Sequence, residues 1–477
     1  MNEGSCRLRW LAAIALSLGL CALLIVFRPG YLTNIDSLGL MIFLEAVLAV
    51  LWNYRQRFFP FLILVFVFSG TGMPPVDFWH SVRWLVLGVG ALIGLFFYFR
   101  DHRHHFGAFH AAACFCVIAA ILSSLVSFYP NQALLKALSL LLLFVYAGGG
   151  IRLAVAGREA DFFPALLLAC ELLIYVTAIA YFGSHLEFFG NPNSLGAVMG
   201  VLVIPVMLWG VVVSEGALTQ TRRVFALSLS ILLLLSSYAR AGMLAAAVSC
   251  TLLCIALRRP RVLVMVMGTA LLMAVAVTAV APPPAEQSPT LASSFVYKGH
   301  REGGVLGSRK TVWQRTLSSV REHRWLGTGF GTSVAGADVD ERLSSFASIP
   351  QATSEHGSSY LAILEWVGVL GVVPFFALVL MAGANVVKAL AYVRRTGNPR
   401  LAVAPVAAVM AAGLVHAGFE DWLFAVGYYL CIVFWALSFV LVDLLPPARL
   451  TRHDPSQEQF GYAGAAWNAR PAPSAAR

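Results

Sequence analysis

Long apolar stretches, separated by short polar breaks, recur along almost the whole chain. Each runs for about 17–22 residues, which is long enough to cross the roughly 30 Å hydrocarbon layer of a membrane as a helix. Backbone groups in lipid must be hydrogen-bonded internally, so such spans are helical. The pattern predicts an all-α, polytopic integral membrane protein with twelve to fourteen transmembrane helices. The fourteen candidate spans are 10–27, 38–53, 57–72, 81–99, 107–127, 132–150, 162–182, 195–214, 223–239, 241–257, 262–281, 358–381, 401–419 and 422–444.

One long polar segment interrupts the spans and divides the chain. We expect transmembrane helices 1–11 in residues 1–281, a loop with short helices at 282–357, the last spans at 358–445 and a disordered tail at 446–477.

The loop is predicted to contain an amphipathic helix. Trp313, Leu317 and Val320 recur at helical spacing, while Arg309, Arg315 and Arg321 fall largely on other faces. Such a helix typically lies on or near a membrane surface.

The positive charges follow the topology of these spans. The chain has 33 Lys and Arg against 23 Asp and Glu, a net charge of +10. With the N-terminus inside, 21 of the 33 lie in inner loops and tails, four at outer span ends and eight in the long loop. This is the positive-inside rule. It predicts that both termini are cytoplasmic and the long loop is outside, and it argues against nucleic-acid binding.

Charged residues at the outer ends of spans are the main candidates for chemistry, since charges are costly in a membrane and usually serve a function. Glu355 and His356 lie where the long loop becomes an apolar helix. We expect them to meet a group of basic side chains at the outer interface, namely Arg83, Lys136, Arg240, Arg309 and Arg315.

This combination suits transfer of a sugar from a lipid-linked pyrophosphate to a hydroxyl. Guanidinium groups bind phosphate oxygens in pairs and stabilise the charge of a leaving pyrophosphate. A carboxylate or imidazole can remove the proton of the acceptor hydroxyl. Purely structural roles are the alternative: Arg240 could extend its charge to the interface from a span end, and His356 could be a polar residue that begins a helix. The sequence contains no zinc motif, P-loop or dinucleotide fingerprint, so we predict no metal and no cofactor.

Four stretches resemble a known family in sequence and in order: FFGNPNSLGAVMG at 188–200, SSYARAGMLAAAVS at 236–249, GSRKTVWQRTLSSVREHRWLGTGFGTS at 307–333 and GSSYLAILEWVGVLG at 357–371. The family is the O-antigen ligase/polymerase superfamily of bacterial envelope glycosyltransferases. The resemblance covers about residues 188–380.

The resemblance implies an inner-membrane enzyme that acts at the periplasmic face. Its donor would be a glycan on undecaprenyl pyrophosphate, its acceptor a glycan or lipid A-core, and other polysaccharide-assembly proteins are candidate partners. Arg240 and Arg309 would bind the phosphates. When the SSYL motifs are aligned, the catalytic His of the family falls on Gly357, one residue after His356, so Glu355 and His356 are both candidate bases. This form favours a polymerase or exopolysaccharide assembly over a strict ligase.

A transporter or flippase of a lipid-linked or anionic solute is the main alternative. Such proteins usually have inverted repeats and broken helices near the bilayer midplane. No repeat is visible in the sequence, and the candidate charges gather at one face. Both features favour the enzyme.

Overall fold

The computed structural model describes residues 54–71, 76–100, 106–155, 157–184, 189, 191–280, 307–333 and 356–446. The chain divides into two units, Met1–Leu64 and Val65–Arg477. Of the first unit only residues 54–64 are described. All contacts given below lie within the second unit.

The described residues form thirteen helices and no strand. The helices are α1 (Tyr54–Gly70), α2 (Val76–Arg100), α3 (Ala108–Leu125), α4 (Pro130–Val155), α5 (Glu159–Gly183), α6 (Pro192–Val212), α7 (Ala217–Ser236), α8 (Arg240–Ala256), α9 (Pro260–Val280), α10 (Gly307–Glu322), α11 (Ser359–Thr396), α12 (Val403–His416) and α13 (Tyr429–Leu444).

Eight of these helices are long and apolar enough to cross a membrane: α2, α3, α4, α5, α6, α7, α9 and α11. Four shorter apolar helices, α1, α8, α12 and α13, accompany them. The predicted all-α, polytopic membrane fold is thereby confirmed. The predicted spans 10–27 and 38–53 lie outside the described residues.

Two helix ends differ most from the predicted spans. Helix α13 begins at Tyr429 instead of residue 422, because residues 417–428 form a compact turn that is stabilised by hydrogen bonds. We call residues 417–428 the acidic turn, since they carry Glu420 and Asp421. Helix α11 continues past the apolar run to Thr396, where Gly397 ends it in the left-handed conformation.

Helix α11 is broken within its apolar part. Gly368 has φ +64° and ψ −174°, a conformation that favours glycine and interrupts the helical hydrogen bonds. The chain after α10 pairs with the broken turn: Thr328 N donates to Glu365 O at 2.9 Å, and Gly329 N donates to Trp366 O at 3.1 Å. The segment after α10 therefore fixes the backbone at Glu365.

Helix α10, the predicted amphipathic helix, packs against the protein through polar side chains. Its buried side chains are the polar Thr316 and Ser319, whereas Leu317 is 41% exposed. The expectation that α10 lies on or near a membrane surface stays a prediction. Polar groups on α11, such as the Glu365 carboxylate that binds Ser319, select the buried face of α10.

Glycines bring α6 and α8 close together. A Cβ added to Gly242 would lie 2.4 Å from the carbonyl oxygen of Gly196. A Cβ added to Gly200 would lie 2.3 Å from the carbonyl oxygen of Gly242. Small residues at such positions let helix backbones approach closely in membranes. This contact fixes the start of α8, and therefore Arg240, beside the start of α6.

Candidate functional site

A cleft of about 520 Å³ lies between the start of α6, the end of α12 and the acidic turn. Asn191 caps α6 by accepting a hydrogen bond from Ser194 N at 2.7 Å. The lining of the cleft combines amides, carboxylates and aromatic rings, as is typical of a site for a polar ligand. The cleft is lined by Asn191, Asn193, Ser194, Ala197, His416, Glu420, Asp421, Trp422, Ala425 and Tyr428.

The acidic turn is held at both ends. Ser359 Oγ, at the start of α11, donates to Glu420 O at 2.6 Å and accepts from Leu423 N at 3.0 Å. At the other end, Arg83 Nη1 donates to Gly427 O at 3.2 Å and to Ser69 Oγ at 2.8 Å. The carboxylates of the turn therefore have a fixed position at the cleft.

His356 lies between two carboxylates just behind the cleft. Its backbone N–H and its Nδ1 both lie against Asp421 Oδ2, at 2.9 and 3.0 Å. Its Nε2 lies 3.0 Å from Glu365 Oε2. His356 is 2% exposed and Glu365 is fully buried, whereas the side chain of Asp421 is 28% exposed. Asp421 is thus the member of this group that reaches the cleft.

The two carboxylates change the protonation of His356. Burial opposes the charged ring and by itself lowers the pKa of His356, but Asp421 and Glu365 together raise it to about 9. Burial likewise raises the pKa of Asp421, but hydrogen bonds from His356 outweigh this effect and hold that pKa below its usual value. At neutral pH the pair is therefore an imidazolium and an ionised carboxylate.

Arg309 and Arg240 lie next to this group. Arg309 forms an ion pair with Glu420, which lines the cleft. An added Cβ at Gly357 would lie 2.9 Å from Arg309 Nη1, so the guanidinium also contacts the residue after His356. Arg240 is close enough to Arg309 for their charges to repel. Two cations next to these carboxylates can bind an anionic group, and the carboxylates of the cleft can bind a hydroxyl.

The other predicted basic residues lie elsewhere. Arg83 supports the acidic turn, as described, and also contacts the ring of Trp84. Lys136 binds Gly331 O in the segment after α10. Arg315 is exposed on α10. The structure therefore brings together Arg240, Arg309 and His356, while Glu355 lies outside the described residues.

His416 and Asp421 are site residues that the sequence reasoning did not select. His416 lines the cleft, and its Nδ1 accepts a hydrogen bond from Trp422 Nε1 at 2.7 Å. Because an indole nitrogen only donates, the proton of a neutral His416 ring lies on Nε2. The acidic pair Glu420–Asp421, between two apolar stretches, is the signal in the sequence for this part of the site.

Comparison with known proteins agrees with the predicted resemblance. Residues 225–376 match the O-antigen ligase family. This range contains Arg240, Arg309 and His356 but ends before the acidic turn. No curated protein matches the chain. The family match indicates a glycan-processing enzyme of the ligase or polymerase type, with lipid-linked glycan and acceptor substrates in a membrane. The chain is thus a multi-pass membrane protein in which residues 225–376 match the O-antigen ligase family, and this match supports the resemblance to the O-antigen ligase/polymerase superfamily.

Proposed function

We propose that this protein is a glycosyltransferase that transfers or polymerises a glycan carried on undecaprenyl pyrophosphate. The observation that carries the proposal is the position of the Asp421 carboxylate, which lines the cleft next to Glu420, the partner of Arg309, while Arg240 lies near Arg309. A polar cleft lined by carboxylates, one of which is paired with a guanidinium group, suits an acceptor hydroxyl and a pyrophosphate.

The arginines would act on the donor. During transfer, the bond between the sugar C1 and the pyrophosphate oxygen breaks, and a bond from C1 to the acceptor oxygen forms. The pyrophosphate leaves with the bonding electrons. Arg240 and Arg309 would bind the negative charge that develops on it, without a metal ion. In this arrangement Arg309 would exchange part of its contact with Glu420 for the phosphate.

Asp421 would face the acceptor. Its carboxylate would accept the proton of the acceptor hydroxyl as the new bond forms. His356 does not line the cleft, and its Nδ1 lies against Asp421. We therefore assign His356 to act through Asp421 instead of contacting the acceptor directly. Glu355, which precedes His356, stays a second candidate base.

The remaining parts of the proposal come from the sequence. The distribution of Lys and Arg supports cytoplasmic termini and a periplasmic active site in the bacterial inner membrane. The acceptor would be another glycan or lipid A-core. We favour polymerisation or exopolysaccharide assembly, because the Glu-His-Gly-Ser-Ser order at 355–359 departs from the pattern of the ligases.

Glycan length profiles in cells test this proposal. A strain that lacks the protein is complemented with the wild type, with Arg240→Ala, or with Arg261→Ala as a control in an exposed residue at the start of α9. We expect Arg240→Ala to lose the long-chain glycan at normal protein levels, while Arg261→Ala restores it. A normal ladder from a well-expressed Arg240→Ala strain would contradict the proposal. The profile is measured in both the free polysaccharide and the lipid A-core fraction. Which of the two fractions loses its ladder of glycan lengths distinguishes a polymerase from a ligase.

One observation favours the alternative of a flippase or transporter. Helix α11 is broken at Gly368, close to the buried pair of His356 and Glu365, and broken helices are common at transport sites. A flippase mutant would keep the lipid-linked units on the inner leaflet. A transferase mutant would still expose them outside, so labelling these units at the cell surface distinguishes the two functions.

A further inference from the structure

We propose that Glu365 is a positioning residue that fixes the charge and the ring orientation of His356 and, through it, the Asp421 carboxylate at the cleft. This inference rests on the proposed function for its catalytic consequence.

The carboxylate of Glu365 is held in a place where an acid is costly. It is fully buried within the apolar part of α11, where an ionised group needs partners. Its Oε1 accepts hydrogen bonds from Ser333 Oγ at 2.6 Å and Ser319 Oγ at 3.0 Å. These two serines leave Oε2 to face Nε2 of His356 at 3.0 Å. Contacts from α10 and from the segment after it thus orient Oε2 of Glu365 toward the ring of His356.

The geometry around the ring favours two protons on it. Nδ1 faces the Asp421 carboxylate, and Nε2 faces the Glu365 carboxylate. A neutral imidazole has one N–H, whereas an imidazolium donates from both nitrogens. Among the described residues, the other charged groups near the ring are Arg309, which contacts the neighbouring Gly357, and its partner Glu420. They form an ion pair with each other, and Asp421 and Glu365 are the charges that raise the pKa of the ring.

Removal of the Glu365 charge would therefore reach the cleft indirectly. Without it, Nε2 faces no opposite charge, and the ring can lose its proton or turn. Asp421 then loses the cation that orients it. Because Glu365 does not line the cleft, this effect needs no contact with the substrate.

The test compares Glu365→Gln with Glu365→Asp, which keeps the charge, in purified full-length protein in detergent. Nitrogen-15 NMR of labelled histidine, with His356→Gln to assign the signal, reports the pH at which the His356 ring titrates. We expect titration near pH 9 in the wild type. We expect it to fall by about one pH unit or more in Glu365→Gln, because one opposite charge is lost, and to recover most of the way in Glu365→Asp. Equal titration of His356 in the wild type and Glu365→Gln would overturn the inference.

A second readout separates this inference from the proposed function. In a transfer assay, the alkaline limb of the pH profile should move to lower pH in Glu365→Gln, together with the NMR titration. A shifted titration without transfer by any variant, including the wild type, would remove the proposed function and leave the positioning of His356 intact. If Glu365→Gln does not accumulate, the double variant Ser319→Ala, Ser333→Ala takes its place. This double variant keeps the Glu365 carboxylate but removes the two hydrogen bonds that orient it. We expect the titration of His356 to move to lower pH, but by less than in Glu365→Gln.

Discussion

Ser359 is bonded twice to the carbonyl oxygen of Glu420, through its Oγ at 2.6 Å and its backbone N–H at 3.0 Å. This contact joins the start of α11 to the acidic turn. It gives a physical reason for the Gly-Ser-Ser-Tyr-Leu motif at 357–361. The serine does not reach the cleft itself but holds the turn whose side chains do.

Ser359→Ala should therefore destabilise the acidic turn. The change removes the Oγ donor for Glu420 O and leaves Leu423 N without the acceptor that it now has. Loss of a buried hydrogen bond of this kind costs about 1–3 kcal/mol. We expect a lower melting temperature in detergent and weaker glycan assembly. Ser318→Ala is the control, since its exposed Oγ binds only within α10 at Arg315 O. Equal melting temperatures for the two variants would contradict this role of Ser359.

Substitutions of Arg309 and Arg315 should differ strongly in their effect on glycan transfer, although both residues lie on α10 and look alike in the sequence. Arg309 is paired at the cleft with Glu420, and Arg315 is exposed. We expect Arg309→Ala to reduce glycan transfer by about 100-fold or more, as for loss of a group that stabilises a developing charge. Arg315→Ala should stay within about 2-fold of the wild type, as surface changes usually do. Rates of transfer at equal protein levels measure this, and similar losses in both variants would count against the assignment.

Gly242→Ala should destabilise the contact of α6 with α8. The added methyl group would meet the Gly196 backbone at 2.4 Å, so the helices must separate, at a cost of about 1–3 kcal/mol. Gly268→Ala, in α9, is a matched control with no atom within 4 Å of the new methyl group. It should be neutral or stabilising, because alanine favours a helix more than glycine does. Thermal unfolding of both variants in detergent checks the difference, and a stable Gly242→Ala protein would show that α6 and α8 can tolerate a wider spacing.

His356 should make the stability of the protein depend on alkaline pH. Its pKa in the folded protein, about 9, lies above the ordinary value of 6.5. A group of this kind stabilises the fold fully below its unfolded pKa, and the contribution is lost as pH rises through the folded value. We expect the difference in melting temperature between the wild type and His356→Gln to be largest near pH 6 and to shrink from pH 7 to pH 10. A difference that stays constant over this range would mean that the ring is not charged in the fold.

The sequence predicted the membrane helices well because hydrophobic length alone determines them. It also singled out Arg240 and His356 as charged groups at span ends, and Arg309 on the amphipathic helix of the long loop. It could not separate Arg309 from Arg315, because the face of α10 that packs depends on Ser319 meeting the Glu365 carboxylate. The pairing of His356 with Asp421, 65 residues apart in the chain, depends on how α11 meets the acidic turn. No local pattern encodes such a contact.

The most direct test is transfer by the purified protein. The wild type and Asp421→Asn are incubated in detergent with a glycan on undecaprenyl pyrophosphate and an acceptor glycan, and elongated product and released pyrophosphate lipid are quantified. Asn keeps the size of Asp421 but cannot take up the proton. We expect one lipid released for each glycan transferred by the wild type, and a loss of about 100-fold or more in Asp421→Asn with its fold intact. Undiminished transfer by Asp421→Asn would contradict the site, and no transfer by active, folded wild type would contradict the function.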